Sequence, residues 1–246
     1  MKRRNVLAAL GALATAGCTK IGKTEWFGGL VDGAEKLSRG AHRALGGRQE
    51  MAREFTAADI SPFFRGNGNT EITTPEYRAE IASGFADWRL EVRGLVERPL
   101  SLTMDQILGL PQRTQITRHD CVEGWSAIGE WTGPQLSALL DMAGLQPESR
   151  FIVFRCADSF GDAPYYESCD LDDAMHPQTI VAHQLNGEPL PERNGAPLRL
   201  RIERQLGYKH AKYLAGIEAV ASLDGVAGGK GGYWEDRAGY QWYAGI

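Results

Sequence analysis

One cysteine in this sequence sits in surroundings that could do chemistry, within Thr117-Arg118-His119-Asp120-Cys121-Val122-Glu123-Gly124-Trp125-Ser126. Cysteine ligates metals and attacks substrates as the thiolate, so a working cysteine needs its proton held off, and nearby cations do that. Arg118 and His119 are close enough along the chain to supply such a field. In an extended segment His119 and Cys121 share a face while Arg118 points the other way. As a ligand, thiolate suits soft or sulfur-rich metal centres. Glu123 is either an acid/base beside Cys121 or a carboxylate that accepts backbone N–H groups and orders the following turn. Taken alone, a buried structural thiol is the commoner fate of a cysteine.

The block resembles the Cys-Val-Glu-Gly-Trp-Ser motif of the molybdopterin-binding domain in the sulfite oxidase family. It is nearest to the bacterial periplasmic branch, which includes the catalytic subunit of methionine sulfoxide reductase. The resemblance implies that Cys121 binds molybdenum directly, with the dithiolene of one molybdopterin supplying two further sulfurs. Asn194-Gly195-Ala196-Pro197-Leu198-Arg199 and Gly207-Tyr208-Lys209-His210-Ala211-Lys212 are similar to the family's pterin-phosphate motif. A dianionic phosphate is met by a guanidinium fork, ammonium groups and backbone N–H groups converging from a turn. Arg199 and Lys212 suit the first two roles, His210 and Ala211 offer backbone groups, and Asn194 offers an amide. Lys209 is a weaker candidate. Asn67 is placed like the family's N-terminal pterin contact. Cys156 falls where the reductase branch has a threonine near the cofactor, which departs from the pattern. The bland alternatives are that Arg199 and Lys212 line the solvent face of two strands and that Asn194-Gly195 is a plain turn.

The activity implied is oxygen-atom transfer to or from a small sulfur or nitrogen compound. A sulfite dehydrogenase binds an anion and needs several pocket arginines, for which Arg118 and Arg155 are candidates. A sulfoxide reductase binds a neutral S=O group and uses an apolar, aromatic pocket, and the reading leans that way. The sequence lacks C-x-x-C-H, so electrons come from a separate partner, a cytochrome or a membrane haem subunit. Three rivals compete. A zinc protein would use His119, Cys121, Cys156 and Cys169, but no C-x₂-C pair is present. A serine hydrolase would use Ser126, which lacks the second glycine of G-x-S-x-G. A lipid-anchored binding module without cofactor is the third.

The elements that must position these residues are mostly strands. Trp88, Leu90 and Val92 alternate with charged residues. Thr103 and Gln106 form a capping box for a helix at Met104–Leu108. Residues 114–118 read as a strand delivering the chain to Cys121. Thr132-Gly133-Pro134 then opens a helix within residues 131–145, with Pro134 in its first turn and Gly144 at its end. Strands are expected at residues 151–154, around Leu198, Leu200 and Ile202, and at 217–221, with a hairpin turning at Asn186-Gly187. Without a regular βαβ rhythm, the class is α+β with a mixed, strand-rich core, and the resemblance implies a sulfite-oxidase-type molybdopterin-binding fold. The tail Tyr233-Trp234-Glu235-Asp236-Arg237, with Tyr240, Trp242 and Tyr243, packs back over the domain, and Trp234 or Tyr240 is open to lining a substrate funnel.

The 246 residues divide into an export signal at 1–17, a spacer with a surface helix at 18–59 and one domain at 60–246. Arg3-Arg4 ahead of an apolar stretch at residues 6–16 resembles a twin-arginine signal, too short to span a bilayer, which takes about 20 residues. Thr15-Ala16-Gly17-Cys18 resembles a lipoprotein box, so a periplasmic protein, free or anchored through Cys18, is expected. Without Lys2, Arg3 and Arg4 the basic residues fall from 27 to 24 against 31 acidic ones, a net charge of -7. That acidity argues against nucleic acid as a partner. Cys121, Cys156 and Cys169 leave at least one thiol unbridged, which metal ligation would explain.

Overall fold

The structure is a computed structural model that describes residues 24–45, 47 and 50–246. The export segment expected at residues 1–17, together with Cys18, lies outside the described residues. The chain separates into two units, Met1–Gly47 and Arg48–Ile246. The first is represented by a helix, α1 (Glu25–Leu45), which exposes Leu37 and Leu45. Among the described residues no helix is long and apolar enough to cross a membrane.

Residues 50–59, assigned to the spacer from sequence, are bound into the second unit. Phe55 N–H donates to Ile116 O at 2.8 Å, and Glu54 bridges Thr117. Such edge pairing uses backbone groups and leaves no side-chain pattern to read.

The second unit is α+β. It runs α2 (Pro75–Ala82), β1 (Arg89–Gly94), β2 (Leu100–Thr103), α3 (Met104–Leu108), β3 (Gln112–Cys121), β4 (Trp125–Pro134), α4 (Leu136–Ala143), β5 (Phe151–Phe160) and β6 (Ala163–Asp170). There follow α5 (Leu171–Ala174), β7 (Ile180–Ala182), β8 (Gln184–Leu185), β9 (Glu188–Pro189), β10 (Arg199–Arg201), β11 (Leu214–Val220) and α6 (Tyr233–Ala238). One sheet has the order β2-β1-β11-β5-β6 and is mixed, since β1 and β11 run parallel while its other neighbours are antiparallel. A second has the order β3-β4-β8-β9, and β10 pairs with β7.

Local chemistry explains the boundaries. α3 begins with the anticipated capping box: Gln106 N–H donates to Thr103 Oγ1 at 3.1 Å, and Thr103 N–H donates to Gln106 Oε1 at 2.9 Å. The helix expected to open at Thr132 starts later. Residues 125–134 pair with β3 over its whole length, from Cys121↔Trp125 to Gln112↔Pro134. Pro134 therefore ends a strand, where its missing N–H is no loss, and α4 begins at Leu136. Leu136, Leu139, Leu140 and Ala143 bury the inner face of α4 in a cluster with Leu90, Val92, Phe154 and Ile217. A smaller cluster, Phe64, Trp131, Ile180 and Leu185, packs separately, with Phe64 against the His119 ring at 5.7 Å. β5 runs six residues beyond the expected 151–154 segment and pairs with β6, which was not anticipated. Charged Arg155 and Asp158 interrupt the apolar pattern there.

Candidate active site

Burial along β3 alternates so that Gln115, Thr117, His119 and Cys121 all face inward. A strand that buries four polar residues in a row is spending burial on function, since each must find a partner or lose solvation. Cys121 closes the strand, and Gly124 N–H donates to Cys121 O at 3.0 Å to form the hairpin turn into β4. Glu123 orders that turn: Trp125 Nε1 donates to Oε2 at 3.0 Å and Gly68 N–H to Oε1 at 3.4 Å.

Cys121, Glu123, Asn67, His210 and Lys212 meet in one cavity of about 230 Å³. Asn69, Asp158, Phe160, Tyr165, Tyr208, Trp234 and Tyr240 complete its lining. Trp234 and Tyr240 stack at 5.8 Å, and Phe160 meets Trp234 edge-on at 5.2 Å. Of the residues sequence reasoning missed, Asp158, Phe160 and Tyr165 lie on the unforeseen stretch of β5 and β6. An acid recurring two positions after Cys156 was the one available signal.

The field around Cys121 differs from expectation. Arg118 is on the opposite face, more than half exposed and ion-paired with Asp120 at 2.9 Å, so it does not join this cavity. His119 carries no charge to lend: burial, then Arg199, push its pKa well below the ordinary value. Burial raises the Cys121 thiol, while the backbone N–H of Glu123 and the Arg199 guanidinium oppose that rise. Arg201 Nη1 lies 2.9 Å from His119 Nδ1. A guanidinium only donates, so Nδ1 accepts and the proton of the neutral ring sits on Nε2. That buried Nε2–H has no partner. Gly207 is required beside it, because a Cβ at that position would come within 2.4 Å of Nε2.

The second motif is buried, which overturns the solvent-face alternative. Arg199 and Lys212 are 0% and 5% exposed, and β10 is covered on both faces. Arg199 donates to Asn194 O at 3.2 Å and to Asn67 Oδ1 at 3.1 Å, with Nε unpartnered. Lys212 Nζ donates to the carbonyls of Asn69 and Arg193. Gly195, at φ 106°, lets the chain pass against the Lys212 side chain, where a Cβ would meet Lys212 Cβ at 2.7 Å. Neither cation has a carboxylate bonded to it. Burial, reinforced by Arg201, brings Arg199 down to about 9, and burial, reinforced by Arg199, brings Lys212 down to about 7. Asn194 donates its amide to Arg65 O at 3.1 Å and leaves Oδ1 unpartnered. The N–H groups of His210 and Ala211, expected to face a ligand, donate within the turn to Gly207 O and Lys209 O. His210 instead contributes its ring, which donates from Nε2 to Gln205 O at 3.0 Å and leaves Nδ1 open.

Lys209 is turned away from the cavity. Its ammonium lies 2.6 Å from both Glu167 and Glu235, and all three are buried. Cys156 is half-buried on β5 against the core and does not line the cavity, and Cys121, Cys156 and Cys169 are all free thiols. Among the described residues no group of three or more His, Cys, Asp or Glu side chains could hold a metal ion, so a metal at Cys121 would take its other ligands from a cofactor. The pocket suits an anionic, metal-bearing one. It presents one thiol, the Lys212 ammonium and the open Nδ1 of His210, and beyond its lining Arg199, His119 and Asn194 carry unpartnered polar atoms.

Residues 76–224 match the family described as oxidoreductase molybdopterin binding domain, and the chain belongs to that family. Among its relatives is a provisionally named protein-methionine-sulfoxide reductase subunit, YedZ1, of Azospira oryzae, 42% identical over 65% of this chain and 56% of the relative. The protein-methionine-sulfoxide reductase catalytic subunit MsrP of Xanthomonas axonopodis pv. citri is 31% identical over 90% of this chain and 70% of the relative. Its counterpart in Campylobacter jejuni is 34% identical over 69% and 60%. The chain thus spans between about half and seven tenths of these relatives. Among solved structures, the sulfane dehydrogenase SoxCD of Paracoccus pantotrophus superposes with a TM-score of 0.51 at 26% identity, over 58% of this chain and 41% of that one. The sulfite-oxidase-type fold implied by the sequence is therefore the observed one.

Proposed function

We propose that this chain is a molybdenum–molybdopterin oxidoreductase that reduces a neutral sulfur or nitrogen oxo compound, a sulfoxide foremost. Cys121 would supply the protein's ligand to molybdenum. Arg199 and Lys212 would hold the pterin phosphate, with Asn67, Asn194 and His210 on the pterin. When bound, the group supplies two-electron oxygen-atom transfer. The protein's share is to exclude water with aromatic walls, to hold Cys121 at the end of a rigid strand, and to offer a neutral His119 as a hydrogen-bond donor.

The observation that carries the direction is the character of the cavity. Arg118 and Arg155, the candidate anion ligands, are both engaged elsewhere, Arg155 with Glu218 at 2.8 Å. The cavity lining has two carboxylates, four aromatic rings from Phe160 to Tyr240 beside Tyr208, and no arginine. That suits a neutral S=O group better than sulfite, which is the second reading. The relatives named as catalytic subunits support a separate membrane-bound or cytochrome electron donor. The twin-arginine-like segment supports a periplasmic location, with Cys18 as the candidate lipid anchor.

The test is to express the protein in a host that makes molybdopterin and to measure molybdenum and zinc per chain by elemental mass spectrometry, with Cys121→Ser alongside. Near-stoichiometric molybdenum, its electronic signature altered or lost in the variant, is expected, together with turnover of sulfoxides but not of sulfite. A folded protein without molybdenum from a competent host refutes the proposal, and zinc in its place revives the rival.

A further inference from the structure

Among the described residues the three most exposed large apolar side chains, Leu45, Leu37 and Trp26, all sit on α1, at 89%, 77% and 64%. Helical spacing puts them on one face. At about 3.6 residues per turn they share an arc of about 100° with Phe27, Ala34 and Ala41, while Glu35, Lys36, Arg39 and Arg43 fall on the opposite arc. Four of the 21 residues are glycine, the weakest helix former after proline. A helix so composed draws its stability from whatever buries its apolar face.

The chemistry of that face points to its cover. The helix is about 30 Å long, yet it is not apolar enough to cross a bilayer. Trp26 and Phe27 meet edge-on at 5.9 Å in its first turn, and such rings settle at the boundary between lipid headgroups and acyl chains. Residues 25–45 hold three acids against three lysines and arginines, so adhesion has to come from apolar insertion rather than net charge. The helix begins seven residues after Cys18. Fully extended, those residues reach about 25 Å at most, so a lipid at Cys18 would keep α1 within reach of the same surface.

We propose that α1 lies flat on a phospholipid bilayer, with Trp26, Leu37 and Leu45 sunk to the headgroup–acyl boundary and its charged arc in water. The helix is then a membrane contact in its own right, beside any lipid anchor. The proposal stands apart from the oxidoreductase reading, since it concerns where the chain is held, and either can fail alone.

The experiment uses the chain from residue 18 with Cys18→Ser, so that no acyl chain contributes. It is floated with vesicles of phosphatidylethanolamine and phosphatidylglycerol, and thermal melts check that each variant is folded. The parent floats with the vesicles, and high salt changes its partition by less than about threefold. Leu37→Glu drives a charge into the apolar arc and weakens partition at least about tenfold. Leu108→Glu, the same change at an exposed leucine of α3, leaves it within about threefold. Trp26→Phe keeps the partition and loses part of the tryptophan quenching by lipids brominated on their acyl chains. A parent that stays off the vesicles overturns the proposal, and self-association in its place gives the face to a second copy. Release by high salt, equal losses in the two glutamate variants, or quenching unchanged in Trp26→Phe each overturns it as well.

Discussion

Two pairs of cations are buried within fourteen residues of one another, and they live in opposite circumstances. Arg201 has Glu203 in a two-pronged bond, at 2.6 Å and 3.0 Å, and Lys209 has Glu167 and Glu235. Arg199 and Lys212 have carbonyl and amide oxygens and no carboxylate bonded to them. A buried charge without a counter-charge is costly, and the proton affinities reflect this: Lys209 is raised by its two glutamates, Lys212 is lowered to about 7. The contrast separates structure from function inside a single motif. Arg201 and Lys209 are each matched by buried carboxylates, whereas Arg199 and Lys212, the proposed anion ligands, are bonded to neutral oxygens.

The largest test of that contrast is stability. Lys209→Met leaves Glu167 and Glu235 buried without their cation and is expected to cost about 3–5 kcal/mol in urea unfolding. In the cofactor-free protein Arg199→Met is expected to cost about 1 kcal/mol or less, since no carboxylate is stranded. Equal losses at both sites would erase the distinction. Loading reverses the ranking: Arg199→Met and Lys212→Met should each lower molybdenum retention during dialysis at least tenfold, which is about 1.4 kcal/mol.

The third test is pH. Lys212 falls from an ordinary 10.5 to about 7 on folding, so between these values the unfolded chain binds more protons than the folded one. Its contribution to stability is therefore lost as pH falls through 7 and grows as pH rises toward 10.5. The difference in urea stability between the cofactor-free parent and Lys212→Met should follow that sign, and a difference independent of pH would contradict it. The smallest effect is an anion shift. Sulfate at about five times its Kd should stabilise the cofactor-free parent by roughly 1 kcal/mol, and a thermal melt of Arg199→Met should lose the shift.

The site was legible where a motif names its residues, and less so where burial decides. Cys121, Asn67, His210 and Lys212 do meet, and the helix at Met104–Leu108 follows its capping box. Arg118 was misplaced in function although alternation put it on the far face, because charge near a thiol was weighed by sequence distance. The alternation of Leu198, Leu200 and Ile202 with arginines marks a strand and left a solvent face open as the alternative, yet both faces of β10 are covered. Alternation reports two unlike faces, and it cannot say that the polar one faces a buried pocket. Asp158 and Phe160 were lost because the apolar run ends at Phe154 while the strand, held by backbone pairing to β6, continues.

The cavity wall has a consequence in time. Its residues run from Asn67 to Tyr240, and Glu235 on α6 is tied to Lys209 and so to the turn that carries His210. Such widely separated contacts form late, after the loops between them have closed. No early part of the chain can therefore hold the pocket shut by itself. α6 brings Trp234 to that wall, so the pocket is complete only once the C-terminal helix has docked.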